Sequence, residues 1–188
     1  MLTERFEAAL VFAARLHRNQ RRKGSGVPYV SHLLAVCELT LEYGGDEDEA
    51  IAALLHDAIE DQGGAAARAE ILLGFGERVT EIVDGCTDTD QTPKPAWRKR
   101  KETYIRHVKQ ASASVRLVSA CDKLHNARSL VMDYRVYGEE LWGRFTGGRA
   151  GTLWYYRAMV NAFRAAGSSE LIAELDRVVT ELETLAGV

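Results

Sequence analysis

The chain has 188 residues, of which 46% are apolar and 27% charged, enough for one domain with an apolar core over residues 1–188. A formal net charge of −3 argues against a general electrostatic pull toward nucleic acid or membrane surfaces. Three cysteines (Cys37, Cys86 and Cys121), odd in number and without CxxC spacing, argue against a disulfide framework and for reduced thiols in the cytoplasm.

Apolar residues recur at three- and four-residue spacing and no alternating strand pattern is found, so the chain is expected to be all-α, a bundle of about eight or more helices. The first predicted helix covers 2–17 and is amphipathic rather than a signal sequence. A basic loop, RNQRRKGSGVPY, leads into a helix from 28 or 29 to 42, which Gly44 and Gly45 end. The third helix spans 46–61, with acids in its first turn and Gln62, Gly63 and Gly64 ending it. Shorter helices follow at 66–73 and 77–84, then a loop, GCTDTDQTPKP, marked by turn residues and two prolines. Helices at 96–110 and 114–134 precede a Gly-rich break, TGGRAG, and two more cover 152–166 and 169–186. No stretch reaches the length of a membrane span.

The chemistry concentrates in AALLHDAIEDQGG, residues 52–64. On a continuous α-helix His56 stacks on Glu60 and Asp57 on Asp61, so three carboxylates and an imidazole share one patch. Crowded carboxylates repel, and a divalent cation relieves that repulsion. His and Asp in oxygen-rich surroundings suit Mn²⁺, Fe²⁺, Zn²⁺ or Mg²⁺. An exposed acidic helix end would look the same in isolation. Two other apolar helices each add a residue of the ligating kind: His32 in PYVSHLLAV and Asp122 in RLVSACDKLHNARSLV, with Asn126 one turn beyond Asp122.

The blocks RRKGSGVPYVSH, LLHDAIED and CDKLHNAR, in this order and spacing, resemble the alarmone hydrolase domain of RelA/SpoT homologues and the free-standing small alarmone hydrolases, which are HD-domain phosphohydrolases. The resemblance implies that His32, His56, Asp57 and Asp122 hold one Mn²⁺, and that Glu60 and Asp61 position and activate the attacking water. It implies that Arg22 stacks on the purine and Lys23 approaches the phosphates. Asn126 would lie near ribose and phosphates, and Tyr155 is offered as the late-helix tyrosine beside the nucleotide. The implied substrate is (p)ppGpp, guanosine tetra- or pentaphosphate, cleaved to GDP or GTP and pyrophosphate. No synthetase domain accompanies these motifs, so degradation rather than synthesis is expected.

A polyanionic substrate calls for local positive charge, which RNQRRK and KPAWRKRK offer; the second run also reads as a solvated helix face, with Trp97 as its anchor. The same site could act on an adenosine alarmone, NADPH or pyrophosphate on a tRNA 3′ end. A non-catalytic nucleotide-binding module is the reading of another class.

Overall fold

Residues 50–55 are apolar without interruption, so a helix through them has no face to offer water. They form the body of helix α3 (Glu47–Leu55), and all six are buried. The computed structural model describes residues 1–23, 25–89, 91 and 93–188. Helices α1 (Glu4–Leu16), α2 (Val30–Glu42), α5 (Glu77–Cys86) and α7 (Ala113–Tyr137) all pack on α3. Outside this group, α4 (Gly64–Phe75) lies on α5, and α6 (Trp97–Val108) lies on α8 (Gly148–Ala166). Helix α8 and helix α9 (Glu170–Leu185) close the bundle against α7. Nine α-helices are present among the described residues, with no strand beyond an isolated bridge between Arg21 and Pro28. The buried side chains form one contiguous core.

Local chemistry sets four of the helix starts. Thr3, Asp46, Ser112 and Ser169 each accept a backbone N–H of the first turn, and Asp46 with Glu49 completes a reciprocal capping box. No helix among the described residues is long and apolar enough to cross a membrane.

Three departures from the sequence expectation have physical causes. The third helix ends its α-winding at Leu55 instead of running to residue 61, and a π-wound turn, Ile59–Gly63, follows. There the N–H of Gly64 donates to the Ile59 carbonyl, five residues back. The expected loop at 85–95 begins later, because α5 continues through Gly85 and Cys86; Asp90 and Thr92 of that loop, like Gly24 of the first, lie outside the described residues. The Gly-rich run 146–151 does not break the chain as expected: α8 already starts at Gly148. A Cβ on Gly147 would sit 2.7 Å from the Trp97 ring and one on Gly151 3.2 Å from it, so these glycines make the seat for that indole. A 3-10 segment, Gly138–Arg144, was not anticipated.

Candidate active site

The three central helices each bring polar side chains to one point. His32 comes from the first turn of α2, His56 caps the end of α3, and Asp122 lies in mid-α7. All three are at most 6% exposed. His32 Nε2 is 3.2 Å from Asp122 Oδ1 and 3.6 Å from Asp57 Oδ2. His56 Nε2 is 3.0 Å from Asp57 Oδ2 and 3.6 Å from Asp122 Oδ1.

Both Nε2 atoms are buried and neither has a hydrogen-bond partner. The imidazoles are held from behind. His56 Nδ1–H donates to the Ala53 carbonyl at 2.8 Å, which aims Nε2 at Asp57; against the effect of burial, Asp57 and Asp122 raise the His56 pKa well above its ordinary value, so Nε2 carries a proton that a cation would displace. His32 Nδ1 is 2.8 Å from His125 Nδ1, and burial with the nearby His32 and Arg22 pushes the His125 pKa down to about 4. A neutral His125 can accept the His32 Nδ1–H, so His32 points a lone pair inward. The ligand atoms of His32, His56 and Asp57 lie within 4.8 Å of one another and could hold a divalent cation, and Asp122 Oδ1 lies beside them, 3.2 Å from His32 Nε2.

The carboxylates are fixed in the same way. Tyr29 donates to Asp57 Oδ2 at 2.5 Å. Asn126 Nδ2 donates to Asp122 Oδ1, and the Lys123 ammonium donates to Asp122 Oδ2. Burial alone would raise both carboxyls; for Asp57 the His56 imidazolium, and for Asp122 the Lys123 ammonium, holds the group well below the usual carboxylate range.

Glu60 and Asp61 stand at the start of the π-wound turn and take different partners. Glu60 accepts from Lys94 Nζ at 2.9 Å, with Arg100 Nη1 at 3.8 Å. Asp61 accepts from Gln20 Nε2 at 2.7 Å, and burial together with the charge of Asp57 raises its pKa. Asp61 keeps the α-type bond from its N–H to the Asp57 carbonyl at 3.0 Å, as a continuous helix would, while one acid turns to the basic segment and the other to the end of α1.

The expected nucleotide-binding residues are spread around this centre. Arg22 Nη2 donates to Asn126 Oδ1 at 2.8 Å, and its guanidinium lies 5.9 Å from the Tyr29 ring centroid. Lys23 is exposed. Tyr155 is buried among Trp97, Trp154 and Tyr156, with Lys101 Nζ 4.8 Å and Lys123 Nζ 6.0 Å from its ring, and its hydroxyl has no partner. The basic run is not simply solvated. Arg98 pairs with Glu102 on the exposed face, while Arg100 and Lys101 converge at 2.6 Å on the buried Asp88 carboxylate.

Sequence reasoning missed Tyr29, Gln20 and His125 as parts of the site, and reads Lys123 as a residue that could face phosphates or flank the Asp122 helix, not as the partner of Asp122. His125 and Lys123 lie within one turn of Asp122, and Tyr29 one turn before His32, so proximity was the available signal. Nothing local marked Gln20.

The chain is similar to known proteins over most of its length. An HD domain family profile matches residues 9–152. The guanosine-3′,5′-bis(diphosphate) 3′-pyrophosphohydrolase MESH1 of Xenopus tropicalis is 39% identical over 132 residues, 66% of this chain and 71% of that protein. Its Homo sapiens counterpart is 38% identical over 122 residues, 63% of this chain and 65% of that one. A solved metazoan ortholog of SpoT, described as hydrolysing ppGpp, superposes with a TM-score of 0.80 at 28% identity and 96% coverage of both chains. With the profile spanning most of its length, and the His-His-Asp cluster standing at its core, the chain belongs to the HD-domain family.

Proposed function

We propose that the protein hydrolyses the 3′-pyrophosphate of (p)ppGpp, giving GDP or GTP and pyrophosphate, with Mn²⁺ as its metal. One observation carries the metal-dependent part: two buried imidazole nitrogens, each without a hydrogen-bond partner, converge on the Asp57 and Asp122 carboxylates. The similarity to proteins named for this activity supports the substrate.

His32, His56, Asp57 and Asp122 would hold the ion. When bound, a divalent cation lowers the pKa of a water and draws charge from a phosphate oxygen. Asp61 lies within a turn of Asp57, where a carboxylate can orient a water and take its proton. Glu60, tied to Lys94, would fix the other side of that water and keep positive charge beside the phosphates. One water is consumed; its hydroxyl ends on the pyrophosphate and its second proton on the 3′-oxygen of the nucleotide. Arg22 offers a flat cation for the purine, which suits guanidinium stacking, and Lys23 a charge for the phosphates. Asn126 and Tyr155 complete the proposed nucleotide contacts.

The deciding experiment is a side-by-side panel on purified, Mn²⁺-loaded protein: ppGpp, ppApp, NADPH and 3′-pyrophosphorylated tRNA, read as pyrophosphate or phosphate release. The expected result is pyrophosphate from ppGpp that chelation abolishes. Metal-loaded protein that leaves ppGpp intact overturns the substrate, and turnover of another member of the panel replaces it.

A further inference from the structure

Gln20 lies just beyond the end of α1, outside the ligating and nucleotide-binding motifs, yet it touches the site. Its Nε2 is 2.7 Å from Asp61 Oδ2, and its Oε1 is 2.6 Å from both Gln62 Nε2 and His17 Nδ1. The direction of these bonds follows from Asp61. An ionised carboxylate only accepts, so the Gln20 NH₂ must face it and the Gln20 carbonyl must face away. That carbonyl then receives two donors, which places the His17 proton on Nδ1.

The support behind Gln20 is rigid. His17 is 2% exposed and stacks on Tyr29 with ring centroids 5.5 Å apart and planes 16° from parallel. Tyr29 donates in turn to Asp57. One imidazole therefore braces two carboxylates, Asp61 through Gln20 and Asp57 through Tyr29. The Gln20 backbone is fixed as well, since its carbonyl accepts the Tyr29 N–H at 2.9 Å.

We infer that Gln20 is a positioning residue: its amide engages Asp61 by Oδ2 alone, so that Oδ1 is presented to the attacking water. This rests on the proposed role of Asp61 in the hydrolysis. An amide suits the task because it donates to the carboxylate without competing for the water's proton.

The test uses Gln20→Met, which keeps the side-chain stem, beside Gln20→Ala. Displacing a reacting group by an ångström costs on the order of a hundredfold, so kcat on ppGpp should fall roughly ten- to a hundredfold. KM should stay within about twofold, as only the chemical step has lost help. Mn²⁺ affinity by calorimetry should not change. In an Asp61→Asn background, Gln20→Met should cost nothing further; an equal loss there overturns the inference, as does an unchanged kcat in the wild-type background. A second readout needs no substrate. The Gln20 side-chain amide protons should be shifted and protected from exchange in NMR spectra of the wild type, and should become ordinary in Asp61→Ala. Ordinary amide signals in the wild type overturn the inference. A wild type inactive on ppGpp with protected Gln20 protons overturns only the substrate reading.

Discussion

Lys94 donates to Glu60 across 34 residues of sequence, at 2.9 Å, and so joins the loop before α6 to the turn that follows the His-Asp pair. The lysine side chain is 45% exposed, and such pairs contribute about 1 kcal/mol or less to stability. Lys94→Met is therefore expected to leave the melting temperature within a few degrees of wild type. Turnover is expected to fall by about tenfold or more, because Glu60 loses its fixed position and the site a positive charge. Thermal melts and steady-state kinetics on the same preparation check both halves; full activity would show that Glu60 needs no partner.

The carboxylates of the centre differ in what they hold. Asp122→Ala removes an inward-facing oxygen and leaves the Lys123 ammonium buried without its partner, so metal binding and activity should be lost together. Glu60→Gln lies outside the ligand set and should keep metal affinity while kcat drops by about 10²-fold or more. Calorimetric titration with Mn²⁺ separates the two. Chelation should also lower the wild-type melting temperature, since a ligand bound only to the folded state stabilises it by about 2.7 kcal/mol at a hundred times its Kd.

His17 gives the apo protein a pH dependence of known sign. Burial holds its pKa below the ordinary 6.5, so the unfolded chain takes up a proton before the folded one does. Stability conferred by the neutral ring is fully present above about 6.5 and declines as pH falls below it. His17→Gln should flatten this part of the profile. Urea midpoints measured from pH 7.5 down to 5 would show it; parallel profiles for the two proteins would contradict the assignment.

Close packing of α5 on α7 rests on one missing side chain. A Cβ on Gly85 would lie 2.5 and 2.9 Å from the two methyls of Val115. Gly85→Ala should destabilise the fold by about 1–3 kcal/mol through overpacking, and Val115→Ala in the same chain should return part of it. Denaturant midpoints of the two single variants and the double variant provide the cycle.

The sequence made the central cluster legible because its members break a pattern. His32, His56 and Asp122 are polar residues set beside apolar neighbours such as Leu33, Leu55 and Cys121, and such residues need partners when buried. The helices themselves follow from apolar spacing and caps. What could not be read were pairings between distant segments, such as Tyr29 with Asp57, Gln20 with Asp61 and His32 with His125, which lie 28, 41 and 93 residues apart. Each depends on how helices dock, which no local pattern encodes. The TGGRAG run misled for a related reason. Its glycines are read locally as breakers, but Gly147 and Gly151 serve Trp97, some fifty positions earlier.

The π-wound turn at Ile59–Gly63 works as a phase shifter. A π turn advances each residue by a smaller angle than an α turn, and Asp61 N–H still bonds the Asp57 carbonyl four residues back, so the slip falls after the acids and re-aims α4. Removing Gly63 would turn α4 against α5 while leaving Glu60 and Asp61 in phase with the His-Asp pair. The two acids are neighbours in sequence and so about 100° apart around the axis, which lets them answer to different walls of the bundle, Lys94 on one and Gln20 on the other.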